Sequence, residues 1–269
     1  MNQLQDNLVL YTVDEHGTAT VTLNNPDKHN AFDDEVIAKL TEIFADISKH
    51  SSIKVVVLES TGKNFSAGAD LNWMKRMANY SFEENKKDAM ALANMLHLLN
   101  FLPQPTIAKI QGAAFGGAVG LASCCDIVIA SDKASFCLSE VKLGLIPATI
   151  SPYVIQAIGL RACRRYFMTA ERFSAQQAEH LGLVSKVVSL EQLDNEVNEM
   201  VQRLNANGPE AVQAAKQLAF DVADQSIDSD LLIETSERIA AIRVSEQGQE
   251  GLSAFFEKRA PNWHVPENS

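Results

Sequence analysis

No apolar run in the sequence approaches the roughly 20 residues that a bilayer-spanning helix needs, so a membrane-spanning protein is excluded. Positive charge is scarce. The chain carries 23 Lys and Arg against 34 Asp and Glu, a formal net charge of −11. Phosphate-backbone binding needs a net or clustered positive surface, and the tight basic groups are small, such as Lys86-Lys87 and the arginines Arg161, Arg164 and Arg165. Nucleic acid is therefore not an expected partner. Metal-ligand spacing is missing too: the six histidines are scattered, with no His-x-x-x-His pair and no Cys/His cluster. No metal site is expected. Cys124, Cys125, Cys137 and Cys163 form no Cys-x-x-Cys pair and read as buried free thiols of a reducing compartment, which predicts a cytoplasmic protein. The first seven residues contain no Lys or Arg and read as neither a secretory signal nor a transit peptide.

What is present is a chain of 269 residues, 46% of them apolar, enough for one large core with or without an appendage. Strands and helices alternate over the first two thirds. Residues 8–13 and 19–23 predict a hairpin around Asp14-Glu15-His16-Gly17. Val36, Ile37, Leu40, Ile43, Phe44 and Ile47 recur at helical spacing after a capping Asp33 or Asp34. Val55-Val56-Val57-Leu58 reads as a buried strand, 81–102 as a helix stopped by Pro103 and Pro105, and 106–110 as another strand. Strands over 126–130, 134–137 and 184–188 follow, with a helix over 175–181 between the last two. From Leu190 onward the pattern is helical. We divide the chain into a core, 1–195, and a helical tail, 196–269, docked as a lid or an assembly surface.

Two short stretches carry the chemistry. Asn64-Phe65-Ser66-Ala67-Gly68-Ala69-Asp70 and Gly112-Ala113-Ala114-Phe115-Gly116-Gly117-Ala118 each follow a strand and open a helix. Small residues let backbone approach a ligand, and amides at a helix start are unpaired and point outward. Two such loops meeting at one point would form a two-donor oxyanion hole. The same residues also suit plain helix–strand packing. Neither loop has the order of a P-loop or of a dinucleotide fingerprint.

In combination, Phe-Ser-Ala-Gly-Ala-Asp-Leu (65–71), Gly-Ala-Ala-Phe-Gly-Gly-Ala (112–118) and Cys125-Asp126-Ile127 resemble the enoyl-CoA hydratase/isomerase, or crotonase, superfamily. Residues 24–31 are similar to its N-terminal signature, 138–147 to its catalytic segment, and 179–184 and 251–258 to later features. The resemblance spans nearly the whole chain. It implies an α/β fold, a crotonase-type spiral of ββα turns with two sheets, and C-terminal helices that build homotrimers or hexamers. It implies an acyl-CoA thioester substrate whose oxygen is held by the amides of Ala69 and Gly117, with Glu140 handling protons. CoA is then part of the substrate, and no separate cofactor is expected. Ala67, within the backbone from Ser66 through Asp70 to Leu71, would line the adenine and pantetheine path. Lys28 and His29 would lie along it, and Lys258 of this or a neighbouring subunit would meet a CoA phosphate. Lys75 and Arg76 are further candidates for the phosphates.

One departure is informative. Hydratases of the family usually carry a glutamate after the second loop as well, and here that position is Gly120. A single carboxylate can take a proton from water and return one to carbon, and it can equally move a proton between C2 and C4. Gly120, with the segment Pro147 to Gly159, resembles bacterial methylglutaconyl-CoA hydratases of leucine breakdown and the related hydratases of acyclic-terpene breakdown. The expected activity is hydration of a branched 2-enoyl-CoA. The alternatives are 3,2-enoyl-CoA isomerisation, or an RNA-binding or catalytically silent acyl-CoA-binding protein. Glu140 is expected in a buried setting, and Trp73, Met74 and Met77 stand at helical spacing for either an acyl wall or core.

Overall fold

The computed structural model describes residues 8–264. The chain runs β1 (Val9–Val13), β2 (Thr18–Leu23), α1 (Asp34–Ile47), β3 (Val55–Ser60), α2 (Leu71–Met77), α3 (Phe82–Asn100), β4 (Thr106–Ile110), β5 (Ala113–Phe115), α4 (Gly117–Cys124), β6 (Ile127–Ser131) and β7 (Ser135–Cys137). It continues through α5 (Ser151–Thr169), β8 (Phe173–Ser174), α6 (Ala175–Leu181), β9 (Lys186–Val188), α7 (Leu193–Asn205), α8 (Pro209–Val222), α9 (Ser229–Val244) and α10 (Glu246–Glu257). Six strands form one sheet in the order β1-β2-β3-β4-β6-β9, and three form a second in the order β5-β7-β8.

The spiral follows from this order. β4 lies in the large sheet, β5 in the small one, and α4 closes the turn. β6 and β7 repeat the path one layer on, pairing in parallel with β4 and β5. Among the described strand pairs, only the β1–β2 hairpin and the β7–β8 pair are antiparallel. The fold is thus the α/β crotonase spiral with a helical C-terminal region. The apolar run of β3 is explained by burial on both faces of a parallel strand. Val56 and Leu58 join the main core with α1 and α3, whereas Val55 and Val57 pack with Ile107, Ile129, Leu193 and Val197 beneath α7. The boundary expected at 195/196 therefore falls inside a helix that covers the sheet.

Local signals fix the helix starts. The Asp33 side chain accepts from the Val36 amide at the head of α1, and Ser81 and Glu84 form a reciprocal capping box on α3. α8 is pinned to the spiral by Lys216, whose Nζ lies 2.7 Å from Asp126 Oδ2 and 3.1 Å from the Gln104 carbonyl. Leu232, Ile233 and Val244 of α9 and Phe255 and Phe256 of α10 are exposed. No helix among the described residues is long and apolar enough to cross a membrane. The stretch read as a glycine loop holds β5, and α5 and β8 had no counterpart in the sequence reading.

Candidate active site

The two glycine loops meet. Ser66 donates its amide to the Ala113 carbonyl at 3.1 Å, and Phe115 donates to the Ser66 carbonyl at 3.0 Å. Gly68 sits at φ +90°, and a Cβ there would fall 2.8 Å from the Phe115 carbonyl oxygen. Only glycine permits both this conformation and this approach. Phe32 links the loops on their other side. It pairs with Ala69 through Phe32 N–H to Gly68 O and Asp70 N–H to Phe32 O, while its ring lies 2.5 Å from where a Cβ of Gly117 would stand. The amides of Ala69 and Gly117 have no acceptor among the described residues.

Glu140 faces this junction. It opens the short 3-10 turn Glu140–Leu143, and its Oε1 lies 3.4 Å from where a Cβ of Gly116 would stand. Oε2 is buried without a hydrogen-bond partner. Burial pushes the carboxyl above its ordinary value, and its own amide pulls it only part of the way back. The residues before it, Phe136 to Leu138, are buried as expected. Those after it are not: Leu143, Leu145 and Ile146 are exposed, because the turn carries the chain out over the surface before Pro147 returns it to the interior.

Lys28 places Nζ 3.2 Å from the Asp70 carboxylate, so it reaches the head of α2. Asp70 is buried and caps α2 through the amides of Asn72 and Trp73. Burial alone would raise its carboxyl, but those amides and Lys28 hold it below the usual range. Ser66 is buried, its hydroxyl accepting from the Gly68 amide, so it shapes the loop. Leu71 is exposed. Trp73 is core and donates to Asp88, and Met77 packs on the same core. Arg76 is engaged by Asp34. Lys258 caps α10 on the surface and does not line the cleft described next.

A cleft of about 580 Å³ opens beside the loops, lined in part by His29, Lys63, Ala67, Phe115, Lys133 and Arg172. Arg172 lies over the Phe115 ring, 4.8 Å from its centroid. Three cations of an acidic chain thus gather at one opening. Lys63, Lys133 and Arg172 carry no motif and stand on separate connections, so the sequence offered no signal for them. Buried Asn30 was likewise missed: its side chain accepts from the Asn25 amide and donates to the carbonyls of Thr61 and Asn64, tying the N-terminal motif to the first loop.

A family model described as Enoyl-CoA hydratase/isomerase matches residues 14–266. The chain belongs to the enoyl-CoA hydratase/isomerase family. The short-chain-enoyl-CoA hydratase of Clostridium acetobutylicum is 32% identical over 247 residues, 91% of this chain and 93% of its own. Among solved structures, an enoyl-CoA hydratase from Shewanella pealeana is 49% identical with a TM-score of 0.92, covering 96% of this chain and 97% of that one. Pseudomonas aeruginosa AtuE is 31% identical with a TM-score of 0.90, covering 95% and 99%. This enoyl-CoA hydratase/isomerase family member keeps the carboxylate at 140 and a glycine at 120, and the latter is packed over by Ile150.

Proposed function

We propose that this enzyme hydrates a branched 2-enoyl-CoA thioester of the methylglutaconyl type, with Glu140 as its single proton carrier. The observation that carries the reading is the half-buried Glu140, whose Oε2 is buried and unpartnered, beside the loop whose Gly117 amide, like that of Ala69, is unengaged. A buried carboxyl with a raised pKa and a free oxygen is suited to trading protons. The thioester oxygen accepts from the Ala69 and Gly117 amides. Glu140 takes a proton from water as the water oxygen bonds to C3. The C2=C3 electron pair moves toward the carbonyl, and negative charge builds on the held oxygen. Glu140 then delivers its proton to C2, the carbonyl re-forms, and one H and one OH have been added. Two amide donors are the main stabilisers, since losing one from such a site costs about 3 kcal/mol.

CoA enters as part of the substrate. Lys63, Lys133 and Arg172 suit its phosphates, because local cation placement outweighs net charge in attracting an anion. The branched acyl group, and with it a role in leucine or acyclic-terpene degradation, is supported by the resemblance of Gly120 and residues 147–159. Four buried free thiols suit a reducing cytoplasm. The exposed apolar residues of α9 and α10 support assembly as a homotrimer or a pair of trimers, which a sedimentation mass of three or six times 29.4 kDa would bear out and a monomer mass would exclude.

The test is Glu140→Gln assayed on a panel of branched and straight 2-enoyl-CoAs. Thioester binding is expected to persist and turnover to fall about 10²–10⁴-fold, the usual worth of a positioned proton carrier. Near-normal hydration would end the proposal. Because one carboxylate also suffices for 3,2-isomerisation, the product is weighed after reaction in isotopically heavy water. Hydration adds the mass of water and isomerisation does not.

A further inference from the structure

Gly120 lies three residues after Gly117 in α4, so the two share a side of the helix. The space beside it is full. A Cβ at 120 would lie 2.2 Å from Ile150 Cγ2 and 2.8 Å from Ile150 Cβ, where carbon atoms rest at about 3.5–4.0 Å. Rotating the Ile150 side chain would move the first contact away but not the second, because Cβ is fixed to the main chain. Neither backbone can retreat cheaply. Ala118, Val119, Leu121 and Ala122 of α4 are fully buried, and Ile150 itself is 1% exposed at the head of α5, its carbonyl accepting from the Val154 amide. Leu96 closes the same space at ordinary contact distance.

We propose that Ile150 holds this enzyme to one carboxylate: side chains at 150 and 120 compete for a single volume on the side of α4 that also carries Gly117, and Ile150 occupies it. Gly120 is then not spare room for an acyl branch. It is the half of an interlock that must stay bare while Ile150 is present. One segment supplies both decisions, since residues 140–150 bring the carboxyl of Glu140 to the second loop and, ten residues later, the methyl groups that keep a second carboxyl out. Ile150 acts through position 120 and so is a positioning residue. The chemical half of this inference rests on the reading of Glu140 given above, whereas the steric half does not.

The experiment uses the full-length enzyme in two stages. Melting temperatures are compared for Gly120→Ala, Ile150→Gly and the double variant. Each single change is expected to lower the melting temperature, and the double to lie well above the sum of the two losses, as for residues in direct competition. Additive losses would overturn the interlock. The second stage places Glu at 120 in the Ile150→Gly background and follows kcat/KM for crotonyl-CoA hydration against pH. A second ionisation is expected to enter the profile. With Glu140→Gln added, hydration is expected to exceed that of Glu140→Gln alone by about tenfold or more, a fraction of what a positioned carboxylate supplies. A profile without a second ionisation, no rescue, or failure of the Glu-bearing variant to fold where Ile150→Gly folds would each refute the proposal. Failure of the Glu140 reading alone shows itself differently, as full turnover by Glu140→Gln with Ile150 intact and the melting coupling unchanged.

Discussion

Gly117→Ala tests whether the second loop does chemistry or only packs. The added methyl would stand 2.5 Å from Phe32 Cζ and 3.1 Å from Cε2. Restoring ordinary contact needs about 1 Å of movement. Phe32 cannot supply it, being 2% exposed and held through its own N–H and carbonyl to Gly68 and Asp70 at 2.9 and 3.0 Å. The first turn of α4 must yield instead, and the Gly117 amide moves with it. Oxyanion donors act at about 2.7–3.1 Å, so a shift of that size removes one of the two. The expected loss is about 10²–10³ in kcat, or 2.7–4 kcal/mol, with little change in KM. Overpacking should also cost about 1–3 kcal/mol of stability.

Both quantities are measurable on one sample, turnover by loss of the conjugated enoyl-thioester absorbance and stability by thermal melting. Phe32→Leu in the same chain shortens the obstructing ring and should return part of each. The reasoning is refuted if Gly117→Ala melts early yet keeps kcat within about threefold of the parent enzyme, because the clash would then be real and the amide irrelevant.

Two further outcomes follow from burial. The Glu140 carboxyl is raised above its ordinary 4.5, so this group favours the folded state below its unfolded value and loses that contribution as pH rises through the folded one. Glu140→Gln should therefore melt higher than the parent at pH 7, and the gap should shrink below about pH 4, a pattern absent if the carboxyl is freely solvated. All four cysteines are buried, with burial pushing Cys125 up to about 12 and Cys163 up to about 11, so a thiol reagent should titrate none of them in the native enzyme and four after denaturation; rapid native labelling would contradict the core packing.

How much of this was legible depended on whether the cause was local. Caps at Asp33 and Ser81, the helical spacing of α1 and the apolar run of β3 are short-range signals, and the elements stand where those signals put them. The two loops were legible as small-residue stretches at strand-to-helix junctions. β5 was not, because three residues pairing with partners 22 positions later leave no periodicity of their own. α5 was missed for a related reason: Gly159 interrupts it at φ +76°, and Pro152 at its start reads as a turn until its first-turn position is known. The fate of Trp73 was undetermined by spacing alone, since an acyl wall and a core share the same period. Ile150 stands in the segment 147–159 that, with Gly120, carries the finer resemblance, but its contact with that glycine was not legible, because spacing along the chain does not report the distance to a residue 30 positions earlier.

Charge shows most clearly why the total misleads where the arrangement does not. A net −11 argues against a polyanionic ligand, yet Lys63 follows β3, Lys133 joins β6 to β7, and Arg172 precedes β8, and the spiral brings all three to one cleft. Over about 8–10 Å, the screening length at ordinary salt, a ligand phosphate feels those cations and little of the distant acids. Phe115 couples that cleft to the loops. Its ring lies under Arg172, its amide donates to Ser66, and its carbonyl crowds Gly68. On the proposed reading, a CoA phosphate drawn to Arg172 would be referenced, through one residue, to the junction that holds Ala69 and Gly117. Binding energy gained at the far end of a CoA thioester would then be spent on orienting its reacting end, which is where remote contacts accelerate a reaction rather than merely tighten binding.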